Sequence, residues 1–271
     1  MGERLGIIAG SGEFPWLAAA EAGARGYECV IAAIRGEAED RLRDRAGIIE
    51  WFGAGEISRL SGFLKGHGVS CVLIAGKVRQ EAAFRTWGLD DSASFLLGRA
   101  GGKSPARLIA AMIEFLEGQG LPVLDPTPFL NAYLCSPGTL TRTKPDSRVL
   151  MDIEYGLSIA GVLADLDVGQ TIVVKDGAVI AIEGIEGTDR AIMRGGELAG
   201  PGTVVIKAGR SMQDPRIDLP AVGLETVRAL VGAGAAALAF EAEKLPFFQR
   251  EAAVDLAERS GIIIVAKERQ P

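Results

Sequence analysis

The segment Glu183-Gly184-Ile185-Glu186-Gly187-Thr188-Asp189 places three carboxylates within seven residues. Carboxylates this close repel one another unless a cation, a basic side chain or a proton compensates them. Glycines at 184 and 187 let backbone N–H groups approach a ligand closely. Such a loop suits an anion site, above all phosphate with a divalent metal; a solvated loop with surface ion pairs is the alternative. A second polar set follows at Lys207, Arg210, Gln213, Asp214, Arg216 and Asp218. In Gln213-Asp214-Pro215-Arg216-Ile217-Asp218-Leu219-Pro220, prolines stiffen the backbone around two carboxylates. Rigid placement of acids suits metal binding or the activation of water.

Three further places carry polar groups where a sheet presents ligands. Gly10-Ser11-Gly12 follows the first apolar segment and opens a helix, where free backbone donors and the positive end of the helix dipole meet phosphate. It is a poor dinucleotide fingerprint, because Pro15 stands at the third glycine position and Ile34-Arg35 ends the second strand without an acid. Lys77, after Gly76, stands at the carboxyl end of a buried strand and suits a phosphate as a point charge, or simply a solvated strand end. Gln170, in Asp167-Val168-Gly169-Gln170, suits a base or sugar contact, or a turn cap. Gly101-Gly102-Lys103-Ser104 lacks the earlier glycine and the preceding strand of a P-loop, which argues against an ATPase.

These residues need elements to hold them. Thr171 to Lys175 and Ala178 to Ile182 are rich in β-branched residues around Asp176-Gly177, a favoured tight-turn pair, and so predict a hairpin that mounts the acidic loop. Strand signals at Leu5–Ala9, Glu28–Ile34, Ile48–Phe52, Ser70–Ala75 and Leu121–Leu124 alternate with helical ones at Phe14–Ala24, Glu56–Lys65, Ser92–Leu97 and Pro105–Glu117. The pattern breaks from 133 to 145, where Cys135-Ser136-Pro137-Gly138-Thr139 reads as an interdomain connection. It restarts with a helix from Asp146 to about Leu166, and after the hairpin with further helices and strands to Val265. The expectation is therefore an α/β protein of two domains. Residues 1–132 form a Rossmann-like, mainly parallel sheet, and 146–271 a smaller mixed α/β domain carrying the acidic site, with an interdomain ligand cleft.

Composition narrows the chemistry. At 271 residues the chain is long enough for one large or two ordinary domains. A hydrophobic fraction of 48% with 24% charged residues is that of a folded soluble protein. The net charge of −6 argues against nucleic acid held on a broad basic surface. Cys29, Cys71 and Cys135 are an odd number of widely spaced thiols, expected to be buried in a reducing compartment. The single histidine, His67, excludes a histidine-rich zinc centre, so any metal here should be hard and oxygen-liganded, such as magnesium or manganese. The first residues run into an apolar strand without signal-peptide architecture, and no apolar stretch reaches bilayer-spanning length.

Taken in order, Leu5 to Pro15, Asp167 to Gln170, Glu183 to Arg190, and Gln213 to Pro220 with Gly223 resemble the LpxI-type UDP-2,3-diacylglucosamine pyrophosphatases of lipid A biosynthesis. The Glu-Gly-Thr-Asp run with the later Gln-Asp and Asp-Leu-Pro elements carries the specificity. The resemblance implies a magnesium-dependent hydrolase, with Mn2+ as a substitute, that cleaves UDP-2,3-diacylglucosamine to 2,3-diacylglucosamine 1-phosphate and UMP. It also implies peripheral action at the cytoplasmic face of the bacterial inner membrane, and leaves room for a homodimer. Carried onto this chain, Glu186, Asp189, Asp214 and Asp218 are the candidate metal ligands, and Asp218, Asp214 and Lys207 the candidate catalytic groups. Gly10, Ser11, Gly12, Lys77, Gln170, Gly187, Thr188, Arg210 and Gln213 are the candidate substrate contacts. The chain departs from the family at Gly101–Ser104, where an acidic pair is usual, and at Arg210-Ser211, where Lys-Pro is usual. A nucleotide-sugar oxidoreductase or transferase, and a non-catalytic binder of nucleotide-linked lipid, remain open alternatives.

Overall fold

The computed structural model describes residues 2–78, 90–99, 105–212 and 214–269. Gly101–Ser104 and Gln213 lie outside the described residues. The chain divides into two compact units, one of residues 1–130 with 214–218, the other of 131–213 with 219–271.

In the first unit, strands β1 (Arg4–Ala9), β2 (Glu28–Ile34), β3 (Ile48–Phe52) and β4 (Cys71–Ala75) form a parallel sheet in the order β3-β2-β1-β4. Its strands are apolar almost throughout because both faces are covered. Leu5, Ile7, Ala9, Ile31 and Leu73 face helix α1 (Phe14–Ala24), which meets them with Ala18, Ala19 and Ala22. The alternate residues Ile8, Val30, Ala32 and Val72 pack with Leu60 and Leu64 of α2 (Ile57–Gly66). Helix α3 (Asp91–Arg99) follows, and α4 (Pro105–Gly118) adds Ile113 and Leu116 to the same core. The strand expected at Leu121–Leu124 is reduced to one parallel bridge, Val72 to Val123. The strand order reverses between β1 and β4, and at such a switch point open α/β sheets take ligands.

The second unit carries a six-stranded mixed sheet, β5-β10-β9-β8-β6-β7. Its strands are β5 (Gly138–Thr139), β6 (Thr171–Lys175), β7 (Ala178–Ile182), β8 (Val204–Lys207), β9 (Ala237–Glu241) and β10 (Ile263–Lys267). Gly138-Thr139, expected within an irregular connection, is instead an edge strand antiparallel to β10. Strands β8, β9 and β10 run parallel, linked by α7 (Leu224–Ala233) and α8 (Arg250–Arg259). Side-chain alternation divides the core. Ile172, Val174, Val204 and Ile206 face α5 (Ser147–Asp165) through Val149, Ile153, Leu157 and Ala160. Val173, Val205, Leu238 and Ile264 face the other way, with Ile192 of α6 (Thr188–Ala199), Val227 and Leu230 of α7 and Ala253 and Ala257 of α8. Asp146 caps α5, its Oδ1 accepting from the Val149 N–H at 2.8 Å. The three cysteines are unpaired and buried.

Candidate active site

The hairpin β6–β7 is held from beneath by Asp152 of α5. This carboxylate is 1% exposed and accepts the Asp176 and Gly177 N–H groups at 3.0 and 2.7 Å. Both turn donors thereby find a buried acceptor, and the end of β7 is fixed where the acidic loop begins.

Strand direction brings a set of polar groups to one edge of the second sheet. β6 runs antiparallel to both β8 and β7, so its first residue, Thr171, pairs with Lys207, the last residue of β8. The Glu183 N–H, one residue past β7, donates to the Thr171 carbonyl at 2.8 Å, and the Ala208 N–H donates to the Gln170 carbonyl at 3.0 Å. Gln170, Thr171, Glu183 and Lys207 therefore share the edge at which the parallel strands β8 to β10 end, the usual ligand edge of such sheets. Gly169 is required here: a Cβ on it would overlap the Glu183 carbonyl oxygen.

Gly187 is the N-cap of α6, accepting the Ala191 N–H at 3.2 Å, so Thr188 and Asp189 form its first turn. The Thr188 hydroxyl donates to Glu183 Oε1 at 2.9 Å and lies 3.0 Å from Lys207 Nζ and 3.5 Å from Thr171 Oγ1. Lys207 is 5% exposed. Glu183 Oε2 is buried with no hydrogen-bond partner among the described residues. Asp189 is exposed.

Glu186 turns to Arg194 with Oε1 and accepts the Gly184 N–H with Oε2 at 3.1 Å. Its own backbone N–H, then Arg194, hold its carboxyl below the usual carboxylate range. Arg210 pairs with Asp167, and the neighbouring Ser211 donates its N–H and hydroxyl to Asp165 at 2.6 and 2.8 Å. Glu241, at the end of β9 and 2% exposed, accepts from the Gly209 N–H at 3.1 Å and pairs with Lys244.

The remaining expected site residues belong to the first unit. The Gly10 and Ser11 N–H groups donate to the Ala75 and Lys77 carbonyls at 2.8 and 2.7 Å, and the Ser11 hydroxyl donates to the Lys77 carbonyl at 2.8 Å. These donors thus close the loop at the switch point on itself. Gly10 is needed for the closure, since a Cβ there would lie 2.5 Å from the Lys77 carbonyl oxygen. At Gly12 nothing lies within 4 Å of where a Cβ would be. Asp214 is gripped by Arg216, whose Nε and Nη2 reach its two oxygens at 3.0 and 2.7 Å, and the Arg216 N–H adds a third donor. This fork holds the Asp214 carboxyl below the usual range. Arg216 also reaches Glu117 at 2.9 Å, and Ile217 packs in the core with Leu60 and Leu116. Asp218 is half-buried, its N–H directed to the Asp214 carbonyl at 3.5 Å.

The structure thus brings Gln170, Gly187, Thr188 and Lys207 together at one sheet edge. Among the described residues, no three His, Cys, Asp or Glu side chains are grouped to hold a metal ion. Within their own segments, Arg194 compensates Glu186 and Arg216 compensates Asp214. Sequence reasoning assigned no role to Glu183 and did not single out Asp152, Arg194 or Glu241. For Glu183 a signal existed, because the strand period ends at Ile182 and leaves a carboxylate at a sheet edge.

Residues 4–133 match the LpxI N-terminal domain and residues 136–265 the LpxI C-terminal domain. A protein of Caulobacter vibrioides named UDP-2,3-diacylglucosamine pyrophosphatase LpxI is 28% identical over 98% of each chain. Among solved structures, CobK precorrin-6A reductase is 14% identical, covering 99% of this chain and 89% of its own, with a TM-score of 0.36. The leucoanthocyanidin reductase of Vitis vinifera with NADPH is 16% identical over 55% and 41%, with a TM-score of 0.29.

Proposed function

The chain belongs to the LpxI family, and from that membership we propose that it hydrolyses the pyrophosphate bond of UDP-2,3-diacylglucosamine. The products would be 2,3-diacylglucosamine 1-phosphate and UMP, a step of lipid A biosynthesis. The observation that carries this reading is the match of both family domains along nearly the whole chain, shared with a relative named for that activity.

Hydrolysis adds water to one phosphorus while the bridging oxygen leaves with the other phosphate, so negative charge accumulates on both. Groups that meet this charge stabilise the transition state. We assign the Lys207 ammonium and the Arg210 guanidinium to it, with the Thr188 hydroxyl and the Gly187–Thr188 backbone at the start of α6 as further contacts. Gln170, on the same edge as Lys207, is assigned to the nucleotide or sugar. Gly12 and Lys77 remain candidate contacts in the first unit, and Asp218 is assigned to water positioning.

Mg2+, with Mn2+ as its substitute, fits these donors in a particular way. Such ions commonly rest on one or two carboxylates plus the substrate's own phosphate oxygens. Of the four candidate carboxylates, Asp189 in the second unit is the one we assign, since both oxygens of Glu186 and of Asp214 already accept hydrogen bonds within the chain and Asp218 is assigned to water positioning. The ion would neutralise charge on the phosphates. Peripheral contact at the cytoplasmic face of the inner membrane is the location this substrate implies; no helix among the described residues is long and apolar enough to cross a membrane.

Turnover of UDP-2,3-diacylglucosamine by the protein and by Asp218→Ala tests the assignment. The variant should fold and lose ~10²-fold or more in kcat, the scale expected for a group acting on the transition state. Near wild-type turnover in the variant would remove Asp218 from the mechanism.

A further inference from the structure

Lys207 and Thr188 meet through a chain of donors whose direction is fixed by chemistry. A lysine ammonium only donates and an ionised carboxylate only accepts. The Thr188 hydroxyl has one hydrogen, and at 2.9 Å from Glu183 Oε1 it is given to the carboxylate. Its lone pair is then turned toward Lys207 Nζ at 3.0 Å. Were that hydrogen not drawn to Glu183, the hydroxyl could rotate it toward the ammonium and repel it. Thr171, fully buried, lies 3.5 Å from the same hydroxyl.

Glu183 is itself held firmly. Its N–H is bonded to the Thr171 carbonyl, and its carbonyl lies against Gly169, where any side chain would collide. Its second oxygen, Oε2, is buried without a partner among the described residues, a cost of the kind proteins retain at sites with a task. The result is a relay from a rigid strand end, through a helix-start hydroxyl, to a nearly buried cation.

We propose that Glu183 is a positioning residue for the reaction: through Thr188 it fixes where the Lys207 ammonium stands against the substrate phosphate. The inference rests on the hydrolase reading, in which Lys207 and Thr188 meet that phosphate. A displacement of about 1 Å in such a group costs on the order of 10²-fold in rate. Removal of the carboxylate therefore acts on kcat far more than on KM.

The test is steady-state release of UMP from UDP-2,3-diacylglucosamine by the full-length protein and by Glu183→Ala, Glu183→Gln, Thr188→Val and the double variant Glu183→Ala/Thr188→Val. Glu183→Ala should lose ~10- to 100-fold in kcat with KM within about threefold. Glu183→Gln, whose amide oxygen still accepts from Thr188, should recover most of that loss. Because both residues act in one relay, the double variant should be no slower than the slower single variant. Losses that multiply in the double variant, or a kcat of Glu183→Ala equal to wild type, would overturn the positioning role while leaving the hydrolase reading intact. Absence of UMP with the folded wild-type protein would overturn the hydrolase reading itself, and the inference with it.

Discussion

Lys207 ends β8 with its ammonium nearly buried and 3.0 Å from the Thr188 hydroxyl. Along the same network, Glu183 keeps one oxygen without a hydrogen-bond partner among the described residues. Other carboxylates of the chain are compensated internally, and Asp214 shows the consequence. With Arg216 bound, its folded pKa lies below its unfolded value, which is near 3.8. The sign follows directly: the ionised carboxylate contributes stability that is complete above the unfolded pKa and is lost as pH falls through the folded one. The difference in melting temperature between wild type and Asp214→Asn should therefore stay constant from pH 7 to about pH 5 and shrink below about pH 4. Thermal melts across that range decide it; a difference that grows toward low pH would contradict the assigned pairing.

At the scale of elements, the acidic loop depends on the hairpin β6–β7, and the hairpin on Asp152. Removing this acceptor breaks two hydrogen bonds from exposed turn N–H groups to a carboxylate, at a cost of about 1–3 kcal/mol. Asp152→Ala should accordingly unfold at lower denaturant with an unchanged m-value, and its kcat should fall because the mount of Glu183 loosens. An unaltered midpoint in urea would show that the turn is held by something else. The hairpin was legible in the sequence because β-branched runs flank Asp176-Gly177, and the first four strands were legible because their apolar runs alternate with helical periods. Asp152 was not legible, since an acid inside a helix gives no sign of facing a turn more than twenty residues later. Nor was β5, because two residues of strand paired to the far end of the chain leave no periodicity. The arginine partners of Glu186 and Asp214 were not legible either: spacing shows that the two residues are acids, while their partners are set by helix and loop geometry.

For the molecule as a whole, family and fold class were legible, because the Glu-Gly-Thr-Asp run and the Asp-Leu-Pro element sit on an α/β alternation that the structure repeats. The return of residues 214–218 to the first unit was not, since contacts distant in sequence leave no local pattern. The central claim is that this chain cleaves the pyrophosphate of UDP-2,3-diacylglucosamine, and one measurement addresses it most directly. Purified protein is incubated with that substrate, with Mg2+ or with EDTA, and UMP and 2,3-diacylglucosamine 1-phosphate are quantified together. Both products are expected in equal amounts with Mg2+, lost in EDTA and restored by added Mg2+. Substrate left intact by the folded protein in Mg2+ would contradict it.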